Sequence, residues 1–192
     1  MTVEQIIQQA KLALNEGKLE EAKSLFQNIL QIQPSHYKTH TNIGAILIKL
    51  GKIDEAEASF KKAIEFKPEF EIAYYNLGIA QEKLNRLNEA EVSFKKAIEI
   101  KVDYFEAHIN LGSILLKLDK IDEAEACFKK VIEFKPEFAV AHYNLGVTQE
   151  KLGRFKEAEK SYKKAIEFKA DYVDAHNNLN MILRQNKLLL NI

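Results

Sequence analysis

The apolar residues of Tyr37 to Phe70, YKTHTNIGAILIKLGKIDEAEASFKKAIEFKPEF, fall into two helical sets. Ile43, Leu47 and Leu50 form the first; Ile53, Ala56, Phe60, Ala63, Ile64 and Phe66 form the second. Spacings of three and four place one apolar stripe on each of two successive amphipathic helices. Leu50-Gly51-Lys52-Ile53-Asp54 separates them. Glycine ends the first helix, because it takes the left-handed conformation with little penalty. Asp54 is expected to cap the second by accepting its free amide hydrogens. Lys67-Pro68 ends that helix, since proline cannot continue it and disfavours helical angles in the residue before.

The same pattern returns along the chain. The segment Ala73 to Glu91 reappears sixty-eight positions later as Ala141 to Glu159, with thirteen of nineteen places identical. The segment starting at Lys52 reappears at Lys120 with seventeen of nineteen identical. Looser echoes, such as Asn-Leu-Gly at Asn76, Asn110 and Asn144, stand at half that distance. The unit is therefore thirty-four positions long and alternate units are most alike. Such a period signals a repeat array. At the place of Gly51 come Gly17, Asn85, Asp119 and Gly153; at that of Asp54 come Glu20, Asn88, Asp122 and Lys156, the last a poor cap. Pro34 and Pro136 match Pro68, whereas Val102 and Ala170 replace it, which predicts more continuous joins there. Gly44, Gly78, Gly112 and Gly146 sit in mid-helix, where glycine costs stability and a close helix crossing would explain it. Ala56 and its equivalents Ala22, Ala90, Ala124 and Ala158 could face that crossing. Phe26, Phe60, Phe94, Phe128 and Tyr162 follow one turn later on the same face.

This succession, NLG, KLG, EA, F, A and P within one unit, resembles the tetratricopeptide repeat (TPR). Five units cover residues 3–36, 37–70, 71–104, 105–138 and 139–172, and residues 173–192 form a capping helix or a truncated sixth repeat. The resemblance implies a single all-α domain, a right-handed α-solenoid of antiparallel helix pairs whose first helices line the concave face. The chain departs from the family where tryptophan is frequent, carrying Ile6, His40, Tyr74, His108, His142 and His176. It also departs in its first unit, which has Gln9-Ala10 for Leu-Gly.

Composition narrows the function. Twenty-eight basic and 28 acidic residues give no net charge, which argues against a partner held by bulk charge, such as nucleic acid or an anionic membrane. A lone cysteine, Cys127, excludes an internal disulfide and a cysteine-based metal site. It takes a place held elsewhere by serine. Without a signal-peptide pattern or an apolar run of about 18 residues, a soluble, cytoplasmic protein is expected. Every glycine and proline has a repeat place, which leaves none for a phosphate-binding loop. With no nucleophile or acid–base constellation left, neither catalysis nor a cofactor is expected. The repeated histidines read as packing residues, because neighbouring units stand about 8–10 Å apart, too far to share one ion. The doublets Lys61-Lys62, Lys95-Lys96, Lys129-Lys130 and Lys163-Lys164 each follow a glutamate by four positions, the favoured helical ion pair. They read as a solvated face rather than an RNA stripe.

One series remains. Asn42, Asn76, Asn110, Asn144 and Asn178 share one place of successive units, with Gln8 in the first. Either each fixes the joint to the next unit by an inter-helix hydrogen bond, or together they hold a peptide. The latter resembles the asparagine ladder of superhelical TPR domains such as that of the O-GlcNAc transferase, where amides grip the main chain of a threaded peptide. Around them the same face carries Thr41, Tyr75, Ile109 and Tyr143; Ala45, Ile79, Ser113 and Val147; and Lys49, Lys83, Lys117 and Lys151. Glu82 and Glu150 stand where the other units have Ile48 and Leu116. The candidate peptide-binding set is thus the five asparagines with Tyr75, Tyr143, Ile79, Ile109, Val147, the four lysines and the two glutamates. The family's clamp for a C-terminal carboxylate needs a lysine at the place of Thr41, Tyr75, Ile109 and Tyr143, so that activity is not expected. The sequence points to a non-catalytic interaction scaffold for an extended peptide. Two alternatives are self-association through the C-terminal end, with its Leu188-Leu189-Leu190 tail, and the substrate-presenting arm of a larger enzyme such as a glycosyltransferase.

Overall fold

A computed structural model describes residues 1–190, with side chains as far as Gln185. The leucine tail singled out above lies outside the described side chains. The described residues form helices only: α1 (Val3–Asn15), α2 (Leu19–Ile32), α3 (Tyr37–Lys49), α4 (Ile53–Phe66), α5 (Glu71–Lys83), α6 (Leu87–Ile100), α7 (Phe105–Lys117), α8 (Ile121–Phe134), α9 (Ala139–Lys151), α10 (Phe155–Phe168) and α11 (Val173–Leu190). This is an all-α helical-repeat solenoid. The chain divides into two compact units, Met1–Val102 and Asp103–Ile192. In the first, α1–α2, α3–α4 and α5–α6 pair, α2 packs on α3, α4 on α5, and α3 touches α5. In the second, α7–α8 and α9–α10 pair, α8 packs on α9, α7 touches α9, and α11 closes against α10.

The turn inside each pair is one device used five times. Gly17, Gly51 and Gly153 have φ of +74°, +76° and +72°, and Asn85 and Asp119 reach +58° and +60°. In the second pair the Lys52 N–H reaches back to the Leu47 carbonyl at 2.9 Å and the Gly51 N–H to that of Ile48 at 3.1 Å. These two bonds satisfy carbonyls that the helix end would otherwise orphan. The turn also decides the start of the next helix, and here the structure corrects the sequence reading. Helix α4 starts at Ile53, its N-cap is Lys52, and no side chain caps it. Asp54 lies inside the first turn, where its charge suits the helix dipole but its carboxylate is past the capping place. Glu20, Asn88, Asp122 and Lys156 are displaced in the same way, with Lys18, Arg86, Lys120 and Arg154 as N-caps.

The joins between pairs bring a second correction. Those at Val102 and Ala170 are no more continuous than that at Pro68. Lys67, Lys101 and Lys169 all leave the helix in extended conformation, with φ of −142°, −132° and −143°. Proline permits this break without causing it. At three joins a histidine holds a carbonyl: the His40, His142 and His176 Nε2 atoms lie 2.8, 2.7 and 2.9 Å from the oxygens of Pro34, Pro136 and Ala170. His40 and His142 also set their rings against Phe66 and Phe168 at 5.4 and 5.3 Å. The packing role expected of these residues is thereby given a specific content.

Between the helices of a pair, an aromatic ring lies on the mid-helix glycine. A Cβ built on Gly44, Gly78, Gly112 or Gly146 would stand 2.5, 2.8, 2.6 or 2.6 Å from the ring of Phe60, Phe94, Phe128 or Tyr162. All four rings are fully buried, as is Phe26, which meets the first unit's Ala10 core. The expected ion pairs form, Glu57–Lys61 at 2.8 Å, Glu91–Lys95 at 2.7 Å, Glu125–Lys129 at 2.9 Å and Glu159–Lys163 at 2.5 Å, but the face is not wholly solvated: the lysines are exposed while Glu57, Glu91 and Glu125 are buried.

The double-length alternation reaches the interior. Gln81 accepts from Ser93 at 2.6 Å and Gln149 from Ser161 at 2.7 Å, where the other pairs carry Ala13, Leu47 and Leu115. Arg86, on the following helix pair, reaches back to both oxygens of the buried Glu57, at 3.2 and 2.7 Å. Arg154 does the same to Glu125 at 3.2 and 3.1 Å. Burial raises the pKa of both carboxyls. The lysine and arginine beside each of them outweigh that and leave both below the usual range.

Two outcomes are expected. Gly78→Ala relieves a helix-propensity cost of about 1 kcal/mol but forces a methyl against Phe94, an overpacking cost of about 1–3 kcal/mol. Its urea midpoint should therefore fall, and a rise would refute the ring-on-glycine account. The lowered carboxyl pKa values make the Arg–Glu joints fully stabilising above the unfolded pKa of roughly 4.3, and that contribution fades as pH drops through the lower native values. Arg86→Met should cost about 1 kcal/mol at neutral pH, a discounted figure because the guanidinium is 36% exposed, and should flatten the loss of stability between pH 6 and pH 3. Parallel curves for wild type and variant would contradict it.

Candidate functional site

In the first unit the residues singled out by sequence lie on α3 and α5. Asn42 and Asn76 are half-buried. Asn76 donates one amide hydrogen to the carbonyl of Ile72, one turn back in its own helix, at 2.8 Å. Asn42 makes no side-chain hydrogen bond among the described residues. Tyr75 leans on the Phe94 ring at 5.9 Å, so the ring that covers Gly78 also props Tyr75. Thr41 is buried and donates to the Tyr37 carbonyl at 3.1 Å. Ala45, Ile79 and Glu82 are half-buried beside them. Lys49 and Lys83 are exposed in the last turns of α3 and α5, where positive charge complements the helix dipole.

In the second unit the corresponding residues lie on α7, α9 and α11. Ile109, Asn110, Tyr143, Asn144, Val147, Glu150 and Asn178 are half-buried, and Lys117 and Lys151 are exposed at helix ends. Ser113 donates to its own helix at the Ile109 carbonyl, 3.0 Å away. The side chain of Asn144 makes no hydrogen bond among the described residues. Asn178 donates across helices to the Tyr162 hydroxyl at 3.2 Å. Of the four asparagines whose bonding is described, only Asn178 ties one helix to another.

The sequence reading did not foresee the cluster that forms there. Tyr162 sits where other pairs have phenylalanine, and its hydroxyl donates to Glu150 Oε2 at 2.8 Å. Tyr143 stands 5.8 Å from the Tyr162 ring and 4.9 Å from that of Tyr172. Val147 and Leu179 pack against the same small core of Ala158, Tyr162 and Ile182. Burial pushes the phenol of Tyr143 up, and Asp174 and Glu150 add to the rise while Asn178 opposes it. Burial likewise raises Tyr162 and Tyr172. A signal was available: among the five aromatic residues at this place, only Tyr162 carries a hydroxyl.

Elsewhere in the first unit, a recess of about 540 Å³ between α5 and α6 is lined by Tyr74, Leu77, Val92, Ser93 and Lys96 among others. None of the sequence-predicted residues lines it. No cluster of histidine, cysteine or carboxylate side chains with metal-binding geometry occurs among the described residues. Among these residues no helix is long and apolar enough to cross a membrane.

Comparison with known proteins agrees with this architecture. The tetratricopeptide repeat model matches residues 72–104, 105–138 and 139–172, and related TPR models match 6–36 and 44–85. The chain is a tetratricopeptide-repeat protein. No curated protein matches it significantly. Among solved structures, that of MamA is 25% identical with a TM-score of 0.79, covering 86% of this chain and 96% of MamA. YrrB, described as a TPR protein with an unusual peptide-binding site, is 27% identical with a TM-score of 0.76, covering 90% of this chain and 89% of YrrB. A TPR protein from Parabacteroides merdae ATCC 43184 shares the fold at 18% identity, with a TM-score of 0.82 over 94% of this chain and 72% of its own. Repeats of this family are in general non-catalytic scaffolds for protein interaction.

The Tyr162 cluster of this TPR chain generates a test. Tyr162→Phe keeps the ring on Gly146 and removes the hydroxyl between Asn178 and Glu150. A loss of about 1 kcal/mol is expected in urea unfolding. An unchanged midpoint would show that the hydroxyl stabilises nothing.

Proposed function

We propose that the chain is a non-catalytic scaffold that binds an extended peptide along the asparagine-bearing faces of its first helices. The observation that carries this is the unused hydrogen-bonding capacity of the amides. Asn42 and Asn144 bond to nothing through their side chains within the described residues, and Asn76 uses one hydrogen on its own helix. A primary amide has two donors and an acceptor, which matches a peptide group without reading its side chain. Half-burial holds each amide in place while leaving one side open. Asparagine is a mediocre helix former, and an amide that ties no joint gives the fold no return for that cost. Helix neighbours at about 8–10 Å would meet an extended chain, rising about 3.3 Å per residue, at roughly every third residue. The similarity to YrrB supports the same reading, since that protein is itself described as having a peptide-binding site.

Side-chain preference falls to the flanking positions. Tyr75, Ile79 and Glu82 give one half of a double-length pattern that Tyr143, Val147 and Glu150 repeat. Ile109 belongs to the alternate unit, and Lys49, Lys83, Lys117 and Lys151 border the face. Each amide contact is worth about 0.5–1.5 kcal/mol net, so affinities no tighter than micromolar are expected.

The deciding experiment is selection from a random-peptide display library against wild type and Asn76→Ala/Asn110→Ala/Asn144→Ala, both confirmed folded by circular dichroism. Peptides enriched on wild type should weaken at least tenfold on the triple variant, the loss of a few modest hydrogen bonds. Enrichment indifferent to the variant would move binding away from the ladder.

A further inference from the structure

The second unit combines three choices found together in no other helix pair. Tyr162 replaces phenylalanine and is alone in doing so. Tyr172 follows at the join, where other pairs carry His36, Phe70, Tyr104 or Phe138. Asp174 lies in the first turn of α11, at a place held elsewhere by Glu4, Lys38, Ile72, Glu106 or Val140. The repeat fold does not require the combination, since the other pairs form without it. The rings of Tyr162 and Tyr172 flank Tyr143 at 5.8 and 4.9 Å, and the charges of Glu150 and Asp174 act on its phenol from nearby. Glu150 takes the Tyr162 hydroxyl on one oxygen at 2.8 Å, and a carboxylate has lone pairs beyond the one so used. Asn178 donates to the same hydroxyl at 3.2 Å, and the Tyr143 and Tyr172 rings stand 4.9 Å apart. Tyr143, Glu150, Tyr172 and Asn178 are half-buried and Asp174 is exposed, so a ligand can reach them.

From this geometry we infer that the cluster of Tyr143, Glu150, Tyr172 and Asp174 is a subsite for one cationic side chain, arginine or lysine, of the bound peptide. This rests on the peptide-binding reading above and names what that face selects. Two carboxylates and two aromatic rings attract a cation by charge and by the ring quadrupole. The chain displays the second of these itself: the Lys169 ammonium lies 5.0 Å from the Tyr172 ring centre. Burial is the first cause of the raised Tyr143 pKa, and the charges of Asp174 and Glu150 raise it further, a sign of the same negative field. An acidic side chain would meet that field with the opposite sign, so the site discriminates by repulsion as well as attraction.

The test uses the full chain and a random dodecamer phage library, sequenced after selection on wild type and on Glu150→Gln/Asp174→Asn. The two substitutions keep side-chain shape, and the amide oxygen introduced at Glu150→Gln can still accept from Tyr162. A position enriched in arginine or lysine on wild type and not on the double variant is expected. A synthetic peptide from that pool should lose about tenfold in affinity when its basic residue becomes citrulline or norleucine. Exchanging arginine for lysine in the same peptide separates an arginine site from a lysine site. Peptides selected without basic enrichment, or with enrichment unchanged in the variant, would overturn this inference and leave the peptide face standing. A library from which wild type selects nothing would overturn both.

Discussion

The solenoid depends on one contact, the aromatic ring laid on a mid-helix glycine. A glycine inside a helix forgoes about 1 kcal/mol of propensity. It does so four times here because no side chain fits beneath Phe60, Phe94, Phe128 or Tyr162. The gap left by the missing Cβ lets the two helices of a pair approach, and the ring fills it. Alanines on the facing helix, from Ala56 to Ala158, are buried for the same reason. The turn that joins the two helices is independent of it: the first pair, with Ala10 at the glycine place, ends in the same left-handed residue and doubly bonded helix end.

The same ring links fold to face. Phe94 covers Gly78 on one side and supports Tyr75 on the other, and Tyr162 does so for Gly146 and Tyr143. The core thus fixes the aromatic residues that flank the asparagines. The added hydroxyl of Tyr162 extends this link, since it carries hydrogen bonds to Glu150 and Asn178 out of the core and onto the face. A replacement that looks conservative within the repeat pattern turns a packing position into the centre of a polar cluster.

The double-length period has two components of different kind. Gln81–Ser93 and Gln149–Ser161 replace an apolar core slot by a satisfied buried hydrogen bond, and Arg86–Glu57 and Arg154–Glu125 pin alternate joints. Both are structural, and both are silent in a reading that sees only apolar and polar places. Glu82 and Glu150 lie on the face instead, where the peptide-binding proposal gives them a part in recognition.

By itself the sequence determined the helix pairs, their length, the left-handed turn residues, the Glu–Lys pairs within helices and the family, because each is a local or strictly periodic requirement. The residue at Gly51 must take a left-handed φ whatever surrounds it, and Glu57 meets Lys61 by helix geometry alone. Only the tertiary structure decided what depends on distance across the chain. It showed that Lys52 rather than Asp54 holds the N-cap place of α4, because the preceding turn sets where that helix begins. It showed that the chain leaves the helix at Val102 and Ala170 just as it does at Pro68, with the residue after the helix at nearly the same φ. It brought Arg86 to Glu57 from a different helix pair, and gathered Tyr143, Tyr162 and Tyr172 around one point. Periodicity names equivalent places, whereas contact between non-equivalent places is a property of the packed helices.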